Sequence, residues 1–187
     1  MNLLVLGPQG SGKGTQAKRI SDAHGIPHVS TGDMFRAAIA ADTPLGNQVA
    51  PILASGELVP DELTVALIRD RLGEEDALRG FVLDGFPRNV EQAEALDEML
   101  AGIGRAIDQV LFFDVSDELA AERMRGRAAA EGRPDDTPEI LARRLAIYHE
   151  QTEPVVGRYR AAGILVPLRA ELPVDDVSDQ ILKALKP

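Results

Sequence analysis

The chain has no cysteine and no tryptophan among its 187 residues, and aromatic side chains make up only 4% of it. Without thiols it cannot build a disulfide scaffold, a thiol nucleophile or a cysteine-ligated zinc site. No uninterrupted apolar run approaches the roughly 18 residues that a membrane span requires. The apolar start, Met1 to Leu6, lacks both a basic flank and a cleavage site. The chain therefore reads as soluble and unexported, with the cytoplasm as the expected compartment. Basic residues are scarce too: 20 Lys and Arg stand against 30 Asp and Glu, a formal net charge of −10. That balance argues against a large nucleic-acid or anionic-membrane surface, so any anionic ligand must be small and locally held. Lysine is confined to Lys13, Lys18, Lys183 and Lys186, which leaves most cationic positions to arginine, whose planar fork suits phosphate.

Hydrophobic residues at 44% and charged residues at 27% are ordinary for a globular chain, and the length suits one domain with small insertions. Short apolar runs alternate with amphipathic stretches. Asn2 to Leu6, Ile26 to Val29, Phe81 to Leu83, Gln109 to Val115 and Ile164 to Leu168 predict five buried strands. Helices are expected over Asp61 to Leu72, over Asn89 to Leu100 ahead of Gly102, from Ser116 or Asp117 to about Arg127, and from Thr137 past Tyr148 with Pro138 at the first helical position. Such alternation predicts an α/β fold, a five-stranded, mostly parallel sheet with helices on both faces. Two segments exceed simple crossovers. Residues 30 to 60 hold two short helical patterns, Asp33 to Ala41 and Leu45 to Ser55, closed by Gly56 and Pro60, and read as a helical insertion. Arg127 to Thr137, rich in Ala, Gly, Pro and Asp, reads as a mobile loop.

Directly after the first strand comes Gly7-Pro8-Gln9-Gly10-Ser11-Gly12-Lys13-Gly14-Thr15, leading into a helical stretch in which Ala17, Ile20 and Ala23 are expected to face the sheet. Glycines at 7, 10, 12 and 14 let successive N–H groups converge on an anion, the helix N-terminus adds its positive end, and Lys13 supplies a mobile charge for terminal phosphates. The generic pattern has Ser or Thr immediately after the lysine, where this chain has Gly14. Magnesium is therefore expected on phosphate oxygens and waters, with an acidic residue behind them. At the end of the third strand stands Asp84-Gly85-Phe86-Pro87-Arg88-Asn89. Carboxyl ends of neighbouring parallel strands share one edge, which places Asp84 beside the glycine-rich loop, suited to orient magnesium-bound water, and aims Arg88 at a phosphate.

Seven motifs in order carry a resemblance that runs from Met1 to about Leu185: Gly7 to Thr15, Ser30 to Arg36, Gly56 to Pro60, Asp84 to Arg88, Glu122-Arg123 with Gly126-Arg127, Gly132 to Asp136, and Arg143-Arg144-Leu145. On these the chain resembles the adenylate kinases of the nucleoside monophosphate kinase family, in their short-lid form. The resemblance implies a three-layer phosphate-loop fold, with a core of residues 1–29, 60–125 and 138–187, a monophosphate-binding insertion at 30–59 and a lid at 126–137. It implies reversible, magnesium-dependent transfer from ATP to AMP giving two ADP, by a monomer without zinc. Gly10, Ser11, Gly12, Lys13, Gly14 and Thr15 resemble the ATP phosphate cradle, with Arg127 and Leu172 on the same nucleotide. Thr31, Arg36, Glu57, Leu58, Val59, Gly85, Phe86, Pro87, Arg88, Gln92, Arg133 and Arg144 resemble the AMP site. Lys13, Arg88, Arg123, Arg133 and Arg144 are the catalytic residues the resemblance implies: Arg123, with Arg127, resembles the ATP-side lid and hinge arginines, and Arg133 and Arg144 resemble those bridging the transferring phosphoryl group and AMP. Gln9 replaces a proline common in the family's loop, and Pro134 stands where a small aliphatic residue is frequent. Gly126 and Gly132 are expected to act as lid pivots, the family being a usual illustration of such closure.

The chemistry needs little else. A phosphate monoester with a second pKa of roughly 6 is already nucleophilic at neutral pH, so no catalytic histidine is called for, and His24, His28 and His149 are expected to be structural or surface residues. The difficulty is electrostatic: an ATP of charge about −4 must meet an AMP of about −2, and cations must offset the repulsion. Lys13, Arg36, Arg88, Arg123, Arg127, Arg133, Arg144 and one magnesium ion supply about +9. A pyrimidine monophosphate kinase would share most of these residues, although Thr31 and Gln92 favour adenine by resemblance. A nucleotide-sensing module would use binding alone; the second arginine-lined region and the absence of an Asn-Lys-x-Asp stretch speak against it.

Overall fold

Strand β1 (Asn2–Leu6) is buried along its whole length, which explains its unbroken apolar sequence. A strand sends alternate side chains to opposite faces: Leu3 and Val5 enter one core cluster, Leu4 and Leu6 the other. The structure, a computed structural model, describes residues 1–131 and 137–185, the side chains of 128–131 excepted. Around β1 lie β2 (His28–Ser30), β3 (Phe81–Asp84), β4 (Gln109–Asp114) and β5 (Leu165–Arg169), in the order β2-β3-β1-β4-β5. Every pairing is parallel.

Two helices, α1 (Lys13–His24) and α9 (Val174–Ala184), cover one face through Ala17, Ile20, Val177 and Ile181. Helices α4 (Asp61–Leu72), α5 (Val90–Ala101) and α8 (Glu153–Ala161) cover the other through Ile68, Leu72, Leu96, Leu100, Val155 and Tyr159. Between β2 and α4, helices α2 (Thr31–Ala40) and α3 (Pro44–Ser55) form a hairpin with a small core of its own, Phe35, Val49 and Val59. The two helices touch closely enough that a Cβ on Gly46 would stand 2.1 Å from the Ala38 carbonyl oxygen. After β4, α6 (Asp117–Glu131) and α7 (Pro138–Ile147) flank the residues outside the description, and α7 runs through a π-helical turn, Tyr148–Thr152, into α8. No described helix is long and apolar enough to cross a membrane.

Several expectations need correction. Among the described residues only three strands are well buried: β2 and β5 are edges, and in β5 only Leu168 is buried, which accommodates Pro167, a residue with no N–H to give a neighbour. The second strand starts at His28 instead of Ile26. The first insertion helix begins at Thr31, before Asp33, because the Ser30 side chain accepts the Asp33 N–H at 3.3 Å and caps it there. Ala23 is exposed; α1 is ended by Gly25, whose N–H reaches the Ser21 carbonyl at 2.9 Å, and its last turn buries nothing. Residues 127–131, expected in a loop, continue α6. Alanine is the strongest helix former, so Ala128, Ala129 and Ala130 carry α6 on where Gly and Pro nearby signal a loop. Residues 132–136, with Arg133 and Pro134, lie outside the described residues.

Candidate functional site

The strand order turns at β1: the chain fills one side with β2 and β3, then crosses to β4 and β5. Ligand crevices of open parallel sheets form at the carboxyl ends of strands at such a point, and residues 7–12 occupy it. Gly10 and Gly12 have φ of 82° and 89°, which glycine alone adopts without strain. A Cβ on Gly10 would also lie 2.3 Å from the Ala120 carbonyl oxygen of α6. Gly12 caps α1 with no side-chain acceptor, and the first turn carries no acid, so its N–H groups stay available to an anion. Lys13 folds over this loop, donating from Nζ to the carbonyls of Gly7 and Pro8 at 2.7 Å each. Gly14 has an ordinary helical backbone, so it is not needed for the curl; a Cβ there would stand 3.5 Å from Asp84 Oδ2.

Asp84 ends β3 in register with Val5 and Ser30, which brings the loop, the insertion and the β3 turn to one edge. Its Oδ2 lies 3.5 Å from His28 Nε2. Past it, the Phe86–Pro87 peptide is cis. Arg88 is held at three atoms: its Nε donates to the Gly85 carbonyl at 2.8 Å, its N–H to Gln92 Oε1 at 2.8 Å, and its carbonyl accepts the Thr152 hydroxyl at 2.7 Å. Gln92, 2% exposed, also donates from Nε2 to Asp61 Oδ1 at 2.7 Å, and Asn89 Nδ2 reaches the same carboxylate. The Gln92 carboxamide keeps one lone pair and one hydrogen to spare. Gln92→Leu would strand the Arg88 backbone N–H and remove a donor from the half-buried Asp61 carboxylate, so we expect a loss of about 1 to 2 kcal/mol in stability. Urea unfolding with an unchanged midpoint would contradict this network.

The other expected residues gather around one cleft of about 1200 Å³. Thr31, buried at the start of α2, donates to the Gly85 carbonyl at 2.9 Å. Arg36 pairs with Asp33 at 2.6 Å. Glu57 forms an ion pair with Arg143, while Arg144 reaches the Leu53 carbonyl at 3.4 Å, so α7 meets the insertion through both arginines. Arg123 donates to the carbonyls of Ala170 and Glu171 at 2.7 and 3.2 Å, beside Leu172. Leu58, Val59, Pro87 and Arg127 line the cleft with them. Phe86 does not: its ring is fully buried in the main core, because the residue next to a tight turn on a central strand end faces inward. Sequence reasoning missed His28, Tyr148 and Thr152, which also line the cleft. His28 carried a signal in standing two residues before Ser30 on a strand that points at the site. Tyr148 and Thr152 reach it only through the π turn, which no local pattern announces.

Charge sets the cleft apart from the rest of this acidic chain. Among the described residues seven cationic side chains line it, Lys18 among them, against four acidic ones. Crowding shows in their proton affinities. Burial, partly offset by Asp84 and reinforced by Arg88 and Arg127, lowers the Lys13 ammonium to about 8. Burial together with the charge of Arg144 lowers Arg88 to about 10, against the pull of Asp84. Cations outnumber acids among the described lining residues, and phosphate is the anion that backbone amides plus guanidinium forks receive best.

A family model described as adenylate kinase matches residues 5–164. A protein named adenylate kinase from Xanthomonas euvesicatoria pv. vesicatoria is 49% identical over 185 residues, covering 99% of both chains. One of the same name from Parvibaculum lavamentivorans is 50% identical over 184 residues, 97% of this chain and 90% of that one. A glycine-rich phosphate loop, an arginine-lined cleft and this extent of similarity agree, and the chain belongs to the adenylate kinase family.

Proposed function

We propose that this chain transfers the terminal phosphoryl group of ATP to AMP and releases two ADP, reversibly. The observation that carries the reading is the cleft: amides and Lys13 at one end, Arg36, Arg88 and Arg144 at the other, with room for two nucleotides and a cationic excess in a chain of net charge −10. ATP phosphates settle on residues 10–15, with its base near Leu172 and Arg123. AMP lies against Thr31, Glu57 to Val59 and Gly85, its phosphate on Arg36, Arg88 and Arg144. An AMP phosphate oxygen then bonds to the terminal phosphorus of ATP while the bridging P–O bond breaks, and the departing oxygen keeps the electron pair as part of ADP. No proton need move in that step. Clustered cations hold the two tails together and stabilise the charge spread over the transferring group.

Among the described residues no group of three His, Asp or Glu side chains is placed to cage a metal. One carboxylate, Asp84, stands beside the loop, and a single carboxylate with phosphate oxygens and waters is the donor set magnesium favours. When bound it neutralises phosphate charge; Asp84 would orient its waters. We further propose that residues 30–59 and 126–137 act as the AMP-side insertion and the ATP-side lid on the remaining core, and that the enzyme works as a cytoplasmic monomer. Purified protein given magnesium, ATP and AMP should form ADP, with UMP, CMP and GMP poorer acceptors; absence of ADP formation refutes the reading.

The Lys13 value predicts a pH profile. Below about 8 the loop carries its ammonium, and above that it loses it. kcat/KM for ATP should therefore fall about tenfold per pH unit above this limb, which reports the free enzyme. The kcat limb should lie higher, because bound phosphates favour the charged form. A flat kcat/KM profile from pH 7 to 9.5 would remove Lys13 from the binding step.

A further inference from the structure

Gln9, in the glycine-rich loop, carries a buried Oε1 with no hydrogen-bond donor among the described residues. It faces the main cleft and also a narrow gap of about 10 Å³ shared with Arg88, Arg144, Tyr148 and Thr152. Arg88 offers the complement. Its Nε is taken by Gly85, while neither Nη group has an acceptor among the described residues. An orphaned buried acceptor is costly, and here it borders a fork with unused donors.

We propose that Gln9 is a positioning residue for phosphoryl transfer, its carboxamide oxygen accepting from an Nη of Arg88 and turning the guanidinium fork toward the phosphates. The chemistry of the side chain suits that work. A carboxylate could hold the fork as firmly, but it would subtract a charge from a cluster whose purpose is to offset phosphate. A neutral carboxamide orients Arg88 and leaves its charge whole. A proline side chain, which the family resemblance places here, offers no acceptor for the fork. The inference rests on the proposed role of Arg88 as a phosphate ligand.

The test is ADP formation by wild type, Gln9→Met, Gln9→Glu, Arg88→Lys and the Gln9→Met/Arg88→Lys double variant, with thermal midpoints for each. Gln9→Met should lower kcat at least fivefold while KM for ATP stays within twofold, since only the fork loses its guide. Gln9→Glu, nearly isosteric and so the safer variant for folding, should lower kcat further, by about 100-fold, by neutralising the arginine. In the Arg88→Lys background Gln9→Met should cost less than twofold, because there is no fork left to orient. A Gln9→Met loss under fivefold, a full additional loss on top of Arg88→Lys, or a Gln9→Glu enzyme as fast as Gln9→Met would each overturn the proposal. Wild type that forms no ADP would instead sink the parent reading.

Discussion

Arg88→Ala is expected to lower kcat by about 10³ to 10⁵ while leaving the protein folded. The magnitude is that of a guanidinium which touches a phosphoryl group in flight. Its geometry supports the top of the range, because Arg88 is not a freely waving side chain: Gly85 holds Nε, and Gln92 and Thr152 hold its backbone. The two backbone bonds survive truncation to alanine, so the turn after β3 keeps its shape. Removing a cation that neighbouring Arg144 already repels also relieves the free enzyme, and the thermal midpoint should hold or rise. Steady-state ADP formation decides the matter, and retention of more than a tenth of wild-type turnover contradicts the role. Arg88→Lys, which keeps charge but loses the fork, should fall between the two.

Lys13→Ala is the second large effect, a loss of about 10³ in kcat/KM. In the structure Nζ spends its hydrogens on the Gly7 and Pro8 carbonyls, bonds it can exchange for phosphate oxygens without leaving the loop. The alanine variant would still present the amides of residues 10–15, so ATP should bind, though weakly. Calorimetric titration with a non-hydrolysable ATP analogue separates binding from catalysis: binding weakened about 10- to 100-fold, kcat/KM lost by more. Equal losses in both would make Lys13 a binding residue only.

Much of this was legible in the sequence, because phosphate recognition by backbone leaves a spaced glycine signature, and because a central parallel strand must be apolar on both faces. Leu3 to Leu6 and Gly7 to Thr15 could thus be placed without coordinates. What escaped had physical reasons. Edge strands obey weaker burial rules, so β2 and β5 were blurred. Gly14 looked like part of the curl because composition does not report φ. Gln92, expected on AMP, is also a strut between Arg88 and Asp61, a double duty that spacing does not encode. The pairing of Arg143 with Glu57 across 86 positions is tertiary information only.

The contact between Gly10 and the Ala120 carbonyl means that the six-residue loop 7–12 borrows its contour from a helix more than a hundred positions downstream. Grafted onto another strand–helix junction, the same letters would have no wall to lean on. An engineer wishing to transplant this nucleotide cradle would have to carry the opening turns of α6 along with it.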